Sequence, residues 1–137
     1  MNETITALLM WINLNTGMIP PDEIPNLIFT EAQNICMQYG INNKNQCENT
    51  RLAGFYNRDN TIYLHANFDH HSHVDQSRLL HELIHYVQWK NGHSHRCRGN
   101  LEAQAYRLQD KWLLERNNLA RSDDFTIMMM EAACEDA

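Results

Sequence analysis

Apolar residues recur at helical spacing near the start of the chain, at Ile5, Leu8, Leu9 and Ile12, with Asn2 or Thr4 placed to cap the helix. Gly17 and the pair Pro20-Pro21 end it. The short apolar piece Ile24 to Phe29 has a proline near its beginning, which suits an edge strand. Thr30 followed by Glu31 opens a second helix through Ile35 and Met37, stopped at Gly40. From Leu52 the pattern turns to aromatic and β-branched residues: Leu52 to Tyr56, the turn Asn57-Arg58-Asp59-Asn60, then Thr61 to His65. That is a hairpin.

A longer helix is expected from about Asp75 to Lys90, with Ser72 and Asp75 as a capping-box variant at its start. Its Leu79, Leu80, Leu83, Ile84 and Val87 fall within one arc of roughly 140°, and His81, Glu82 and His85 fall on the other side. Asn91-Gly92 closes this helix, and His93 to Gly99 forms a polar connection. Asn100 caps a helix from Leu101 to about Arg116, with Leu101, Ala105, Leu108 and Trp112 on its buried stripe and Glu102, Tyr106, Gln109 and Leu113 on the stripe beside it. Asn117-Asn118 breaks the pattern. A last helix, Asp124 to about Cys134, presents Ile127, Met128, Met129 and Met130 as an adaptable apolar surface. No repeat or linker interrupts the chain, so residues 1–137 form one α+β domain.

A net charge of −6, with no long basic run, argues against nucleic acid or an anionic membrane as partner. No apolar run approaches the roughly 20 residues of a membrane span, and Ile5 to Ile12 lacks the flanks of a signal peptide. Cys36, Cys47, Cys97 and Cys134 allow three connectivities. One disulfide between Cys36 and Cys47 would close the polar loop Gly40 to Asn45; four reduced, partly buried thiols are the alternative. Oxidation would favour an exported or periplasmic location.

The chemistry concentrates in His81-Glu82-Leu83-Ile84-His85. Two histidines four apart on a helix can put ring nitrogens on one metal ion, and Glu82 stands next to them free to move a proton to and from a metal-activated water. The apolar back of the helix holds one face in the core and leaves the other to a cleft. The His-rich loop Asp69 to His73 enforces no ligand spacing.

A catalytic zinc needs a third protein ligand. His93 and His95 follow His85 closely and leave on a loop. Gln88 and Asn91 stand where the metzincin extension needs glycine and histidine, which excludes that class. Glu102 lies 17 positions after His85, in the first turn of the next helix, and is the sole acidic residue between Glu82 and Asp110.

With these residues the chain resembles the gluzincin metallopeptidases, zincins in which His-Glu-x-x-His is followed by a glutamate ligand on a downstream helix. The resemblance covers about Leu52 to Leu114 and is closest to minimal single-domain members. It implies a small, mostly antiparallel sheet, a motif helix, and a following helix carrying the third ligand. It implies Zn2+ held by His81, His85 and Glu102, with Glu82 as general base in hydrolysis of a peptide or protein substrate. It further implies that Thr61 to His65 is the edge strand lining the cleft, with Tyr63, His65 or Tyr106 as a second donor to the oxyanion. Where many members carry an aspartate four positions after the glutamate, this chain has Tyr106, so the ligand histidines must be oriented differently, with Gln109 or Asp110 as candidates. Two other readings remain: a deformylase-like amidohydrolase using Cys47 as third ligand, and a zinc- or peptide-binding domain without catalysis.

Overall fold

The computed structural model describes residues 1–50, 54–57 and 59–135. Leu52, Ala53 and Arg58 of the expected hairpin lie outside the described residues. The chain runs α1 (Asn2–Thr16), β1 (Asn26–Thr30), α2 (Ala32–Tyr39), α3 (Lys44–Thr50), β2 (Gly54–Tyr56), β3 (Thr61–His65), α4 (His73–Lys90), a 3-10 turn (His93–His95), α5 (Arg98–Glu115) and α6 (Asp124–Glu135). It is an α+β fold. No helix among the described residues is long and apolar enough to cross a membrane.

The periodic residues are the core. Ile5, Leu8, Leu9 and Ile12 of α1 meet Ile62 and Leu64 of β3, Trp112 and Leu113 of α5, and the apolar face of α4. Leu79, Leu80, Leu83, Ile84 and Val87 are each 0% exposed. At about 1.5–3 kcal/mol per buried side chain, those five contribute on the order of 10 kcal/mol to holding α4 in place. Ser72 caps α4 by accepting from the Asp75 amide at 3.2 Å, whereas the Asp75 carboxylate accepts from the Asp69 amide at 2.9 Å. The reciprocal half of a capping box is therefore replaced by a contact that fastens the preceding loop. Gly17 and Gly40 end their helices at φ 76° and 101°, where a side chain would be strained.

The sheet differs from the mostly antiparallel one expected. Its order is β1-β3-β2, with β1 parallel to β3 over five residue pairs and β2 antiparallel to β3 over three. The chain between β1 and β3 crosses over through α2, α3 and β2, and such a connection returns in the same direction. Consequently Thr61–His65 is the central strand, paired on both sides, and not the edge lining the cleft. The edge beside α4 is β2.

Three helix starts and one whole helix also differ from expectation: α1 starts at Asn2 behind Met1 with no side-chain cap, so neither Asn2 nor Thr4 caps it. The N-cap of α2 is Glu31, not Thr30, and α5 begins at Arg98 behind Cys97, not at Leu101 behind Asn100. Cys97 is bonded to Cys134 of α6, which ties down the first turn of α5. Gly99 in that turn is required by packing, because a Cβ there would lie 2.1 Å from the Met130 carbonyl oxygen. Helix α3 was not expected; it takes up the last two residues of the polar loop Gly40 to Asn45 and continues to Thr50. Asn43 Oδ1 accepts from the amides of Asn45 and Gln46 at its start, and Cys36–Cys47 ties it to α2. Of the expected apolar surface of α6 only Ile127 is buried; Met128 and Met129 are 60% and 55% exposed.

Candidate metal centre

One turn of α4 places the His81 and His85 rings on a common face, with their Nε2 atoms 3.2 Å apart. The turn at Gly92 (φ 77°) and the 3-10 turn after it bring α5 back against α4. Glu102 thereby reaches both histidines. Its Oε1 is 3.7 Å from His81 Nε2 and in direct contact with His85 Nε2. Among the described residues these three form the one group of His, Cys, Asp or Glu donors gathered closely enough for a metal ion.

The other ring nitrogen of each histidine is fixed by a glutamine. His81 Nδ1 lies 3.0 Å from Gln109 Oε1, and Gln109 Nε2 donates to Ser77 Oγ at 3.1 Å. Ser77 in turn donates to the Val74 carbonyl at 2.6 Å. His85 Nδ1 lies 2.9 Å from Gln88 Oε1, and Gln88 Nε2 donates to Leu101 O at 3.0 Å and Gln104 Oε1 at 2.8 Å. An amide oxygen only accepts, and each amide nitrogen is already spent on an acceptor, so both Nδ1 atoms must carry the proton. Both Nε2 atoms face Glu102 and are the positions that a metal ion, or a second proton in its absence, can take. Gln88 and Gln109 are 2% and 7% exposed, so water cannot substitute for either.

Charge in the site follows from this geometry. Burial by itself would lower the pKa of His85, but the hydrogen bond to Glu102, the Glu82 and Glu102 charges and the Gln88 contact raise it above 6.5. Burial would raise Glu102, but hydrogen bonds and charge from His81 and His85 hold it well below the usual carboxylate range. Tyr106, whose ring centroid is 4.6 Å from that of His81, is pushed up by burial and by Glu102, Glu82 and Tyr39, and keeps its proton. Its ring packs against the histidine at a tilt of 57°.

Glu82 is not one of the gathered donors. Its Oε1 accepts from the Tyr56 amide of β2 at 2.9 Å. By the alternation of an antiparallel ladder, the N–H and C=O of Gly54 point to the same side as the Tyr56 N–H, toward α4. Gly54 is the residue that allows this approach: a Cβ would meet Leu64 Cδ2 and Tyr63 O at 3.1 Å and Glu82 Cγ at 3.3 Å. The resulting cleft, about 820 Å³, is lined by β2, α4, the 3-10 turn and α5.

The remaining sequence candidates fall elsewhere. His93 lines the cleft without joining the three donors, and His95, Tyr63 and His65 do not line it. His65 Nδ1 accepts from the Asn67 amide, and His73 Nδ1 pairs with Asn118. Asp110 holds the amides of Arg121 and Ser122 rather than a histidine. Cys47 is in a disulfide and has no thiolate to offer, which removes the deformylase-like ligand set. Gln88, noticed in the sequence for the class it excludes, turns out to orient a histidine. Its only local signal is its position three residues after His85.

The three donors could hold a metal ion. Ligand bonds of about 2.0–2.1 Å in a tetrahedron put donor atoms roughly 3.3 Å apart, close to the 3.2 and 3.7 Å found between the two Nε2 atoms and between His81 and Glu102, whereas His85 and Glu102 touch and would have to part to admit the ion. Comparison with known sequences matches one family model, Domain of unknown function (DUF6647), over residues 1–137. The chain belongs to the DUF6647 family. No curated protein and no solved structure matches this DUF6647 chain.

Proposed function

We propose that this DUF6647 protein is a zinc-dependent metallopeptidase of the gluzincin type, with a zincin-like catalytic layer made of β2, α4 and α5. The observation that carries the reading is the division of labour among four side chains. His81, His85 and Glu102 turn their donor atoms on one point with both histidines locked as the Nδ1–H tautomer, while Glu82 stands beside them held by β2. A structural site closes its coordination with a fourth protein ligand and has no use for an acid beside it.

His81, His85 and Glu102 would hold the zinc ion, which supplies Lewis acidity toward a water molecule and a substrate carbonyl. Glu82 handles protons. One of its oxygens is occupied by the Tyr56 amide, and the other takes a proton from the attacking water and passes it to the departing amine as the C–N bond breaks. Tyr106 lines the cleft, is protonated, and donates to the carbonyl oxygen as negative charge develops there. The outward N–H and C=O of Gly54 bind the substrate main chain by strand addition along β2.

The test compares Glu82→Gln with Glu102→Ala on purified protein, reading zinc content and hydrolysis of a quenched-fluorescent peptide library. Glu82→Gln retains one zinc per chain and loses at least about a hundredfold in turnover, in line with loss of a general base. Glu102→Ala loses the metal. Undiminished hydrolysis by Glu82→Gln would remove its assigned role, and a wild-type protein that takes up zinc but cleaves no library member would make the site a binding site.

A further inference from the structure

The chain carries 17 acidic residues against 11 lysines and arginines, yet its cleft has the opposite balance. Arg78, Arg96, Arg98 and Arg121 line it, and the acids that do so are Glu82 and Glu102. Three of these arginines, Arg96, Arg98 and Arg121, differ from Arg107 and Arg116 in how they are satisfied. Arg107 pairs with Glu131 at 2.7 Å and Arg116 with Glu115 at 3.8 Å. In the cleft, Arg78 pairs with Asp75 at 2.8 Å, but Arg98 donates to the Tyr39 hydroxyl at 2.7 Å. Arg96 and Arg121 have no carboxylate partner among the described residues. Asp110 Oδ1 accepts from the Arg121 and Ser122 amides, so it holds the Arg121 backbone rather than pairing with its guanidinium.

Their placement is two-sided. Arg98 precedes Glu102 by one helical turn, about 6 Å along α5, and Arg96 is on the same connection. Asp110, which anchors Arg121, follows Glu102 by eight residues, about 12 Å in the other direction. An extended peptide advances about 3.3 Å per residue, so these distances correspond to about two and about four residues. Arginine binds carboxylates through paired N–H donors, and Arg96, Arg98 and Arg121 are exposed at the cleft, where they attract an anion with a strength that salt screens.

We infer that the cleft selects peptides bearing aspartate or glutamate on both sides of the scissile bond, engaged by Arg96 and Arg98 at one end and Arg121 at the other. The assignment rests on the metallopeptidase reading for the scissile bond, but the selection of acidic chain is a binding property measurable without cleavage.

Fluorescence anisotropy on the zinc-loaded Glu82→Gln protein tests it, using an end-blocked peptide with Glu-Glu flanking a four-residue apolar centre and its Gln-Gln counterpart. The acidic peptide binds at least tenfold more tightly, and the preference shrinks as salt rises. In the Glu82→Gln background, Arg96→Gln with Arg121→Gln, which removes two charges that hold no carboxylate partner among the described residues, cuts the preference to threefold or less. Equal binding of the two peptides overturns the inference, as does an unchanged preference in the double arginine variant. A short oligothymidylate bound more tightly than the acidic peptide also overturns it, because the site would then read phosphate. Acid-selective binding by a wild-type protein that cleaves neither peptide supports the selection and counts against the metallopeptidase reading alone.

Discussion

Replacing Gln109 with leucine is the sharpest probe of how the candidate metal site is held. The side chain makes two hydrogen bonds, to His81 Nδ1 and to Ser77 Oγ, and Ser77 keeps its own bond to the Val74 carbonyl when the amide is removed. The loss therefore concentrates on His81, which is 8% exposed and has no water to turn to. Leaving its Nδ1–H buried without an acceptor costs about 1–3 kcal/mol. The ring escapes by moving its proton to Nε2, toward Glu102, but that nitrogen is the one a metal needs. Zinc binding then carries the cost of reversing the tautomer. Outer-shell losses of this kind reduce metal affinity about 10–100-fold, or about 1.4–2.7 kcal/mol, the same range reached from the orphaned donor. Competition against a chromophoric chelator measures the affinity, and circular dichroism melts of the metal-free protein check that leucine, similar in volume, has left the fold intact. Gln109→Glu retains an acceptor at the same place and binds zinc at least as well as wild type. A leucine variant that binds zinc within twofold of wild type would refute the tautomer argument.

Three further outcomes follow from the same structure. Gly54→Ala pushes β2 and the Glu82 stem apart by a few tenths of an ångström, so peptide turnover falls roughly tenfold while zinc content measured by atomic emission is unchanged; equal loss of both would mean that Gly54 serves folding alone. Removing the Cys97–Cys134 bridge, which spans 37 residues, with Cys97→Ser and Cys134→Ser destabilises the protein by about 4 kcal/mol on the loop-entropy relation; a urea midpoint within error of wild type would contradict it. In chelator, burial works against His85 protonation but Glu102 and Glu82 outweigh it, so the stability it contributes is complete below its ordinary 6.5 and is lost as pH rises through the higher folded-state value. Melting temperature of the metal-free protein therefore falls as pH rises above about 6.5, whereas zinc affinity rises as the proton leaves; a melting temperature that climbs there would show that Glu102 does not hold that proton.

Much of the fold was legible because helical periodicity is a local property. The spacing of Leu79, Leu80, Leu83, Ile84 and Val87 says which face of α4 is core, and all five are buried. The same spacing leaves His81, Glu82 and His85 on the other face. Glu102 was found by position and by the lack of another acid nearby, and it meets both histidines. Cys36 and Cys47 flank a loop short enough for their pairing to be anticipated. Helix α3 was missed because Lys44 to Thr50 has no apolar rhythm; an Asn43 cap and a disulfide hold it instead.

What the sequence by itself determined, then, is which residues share a face: an apolar back and a His-Glu-x-x-His front on one helix, and Glu102 on the next. Only the tertiary structure decided which partners complete them. Gln88 and Gln109 orient the histidines because α5 lies across α4, Thr61–His65 is central because a crossover brings β1 in parallel beside it, and arginines from two separate connections meet at one cleft. Periodicity acts over a few residues and is written in the chain. Contacts between residues far apart depend on how elements cross and pack, and that is settled only when the core closes.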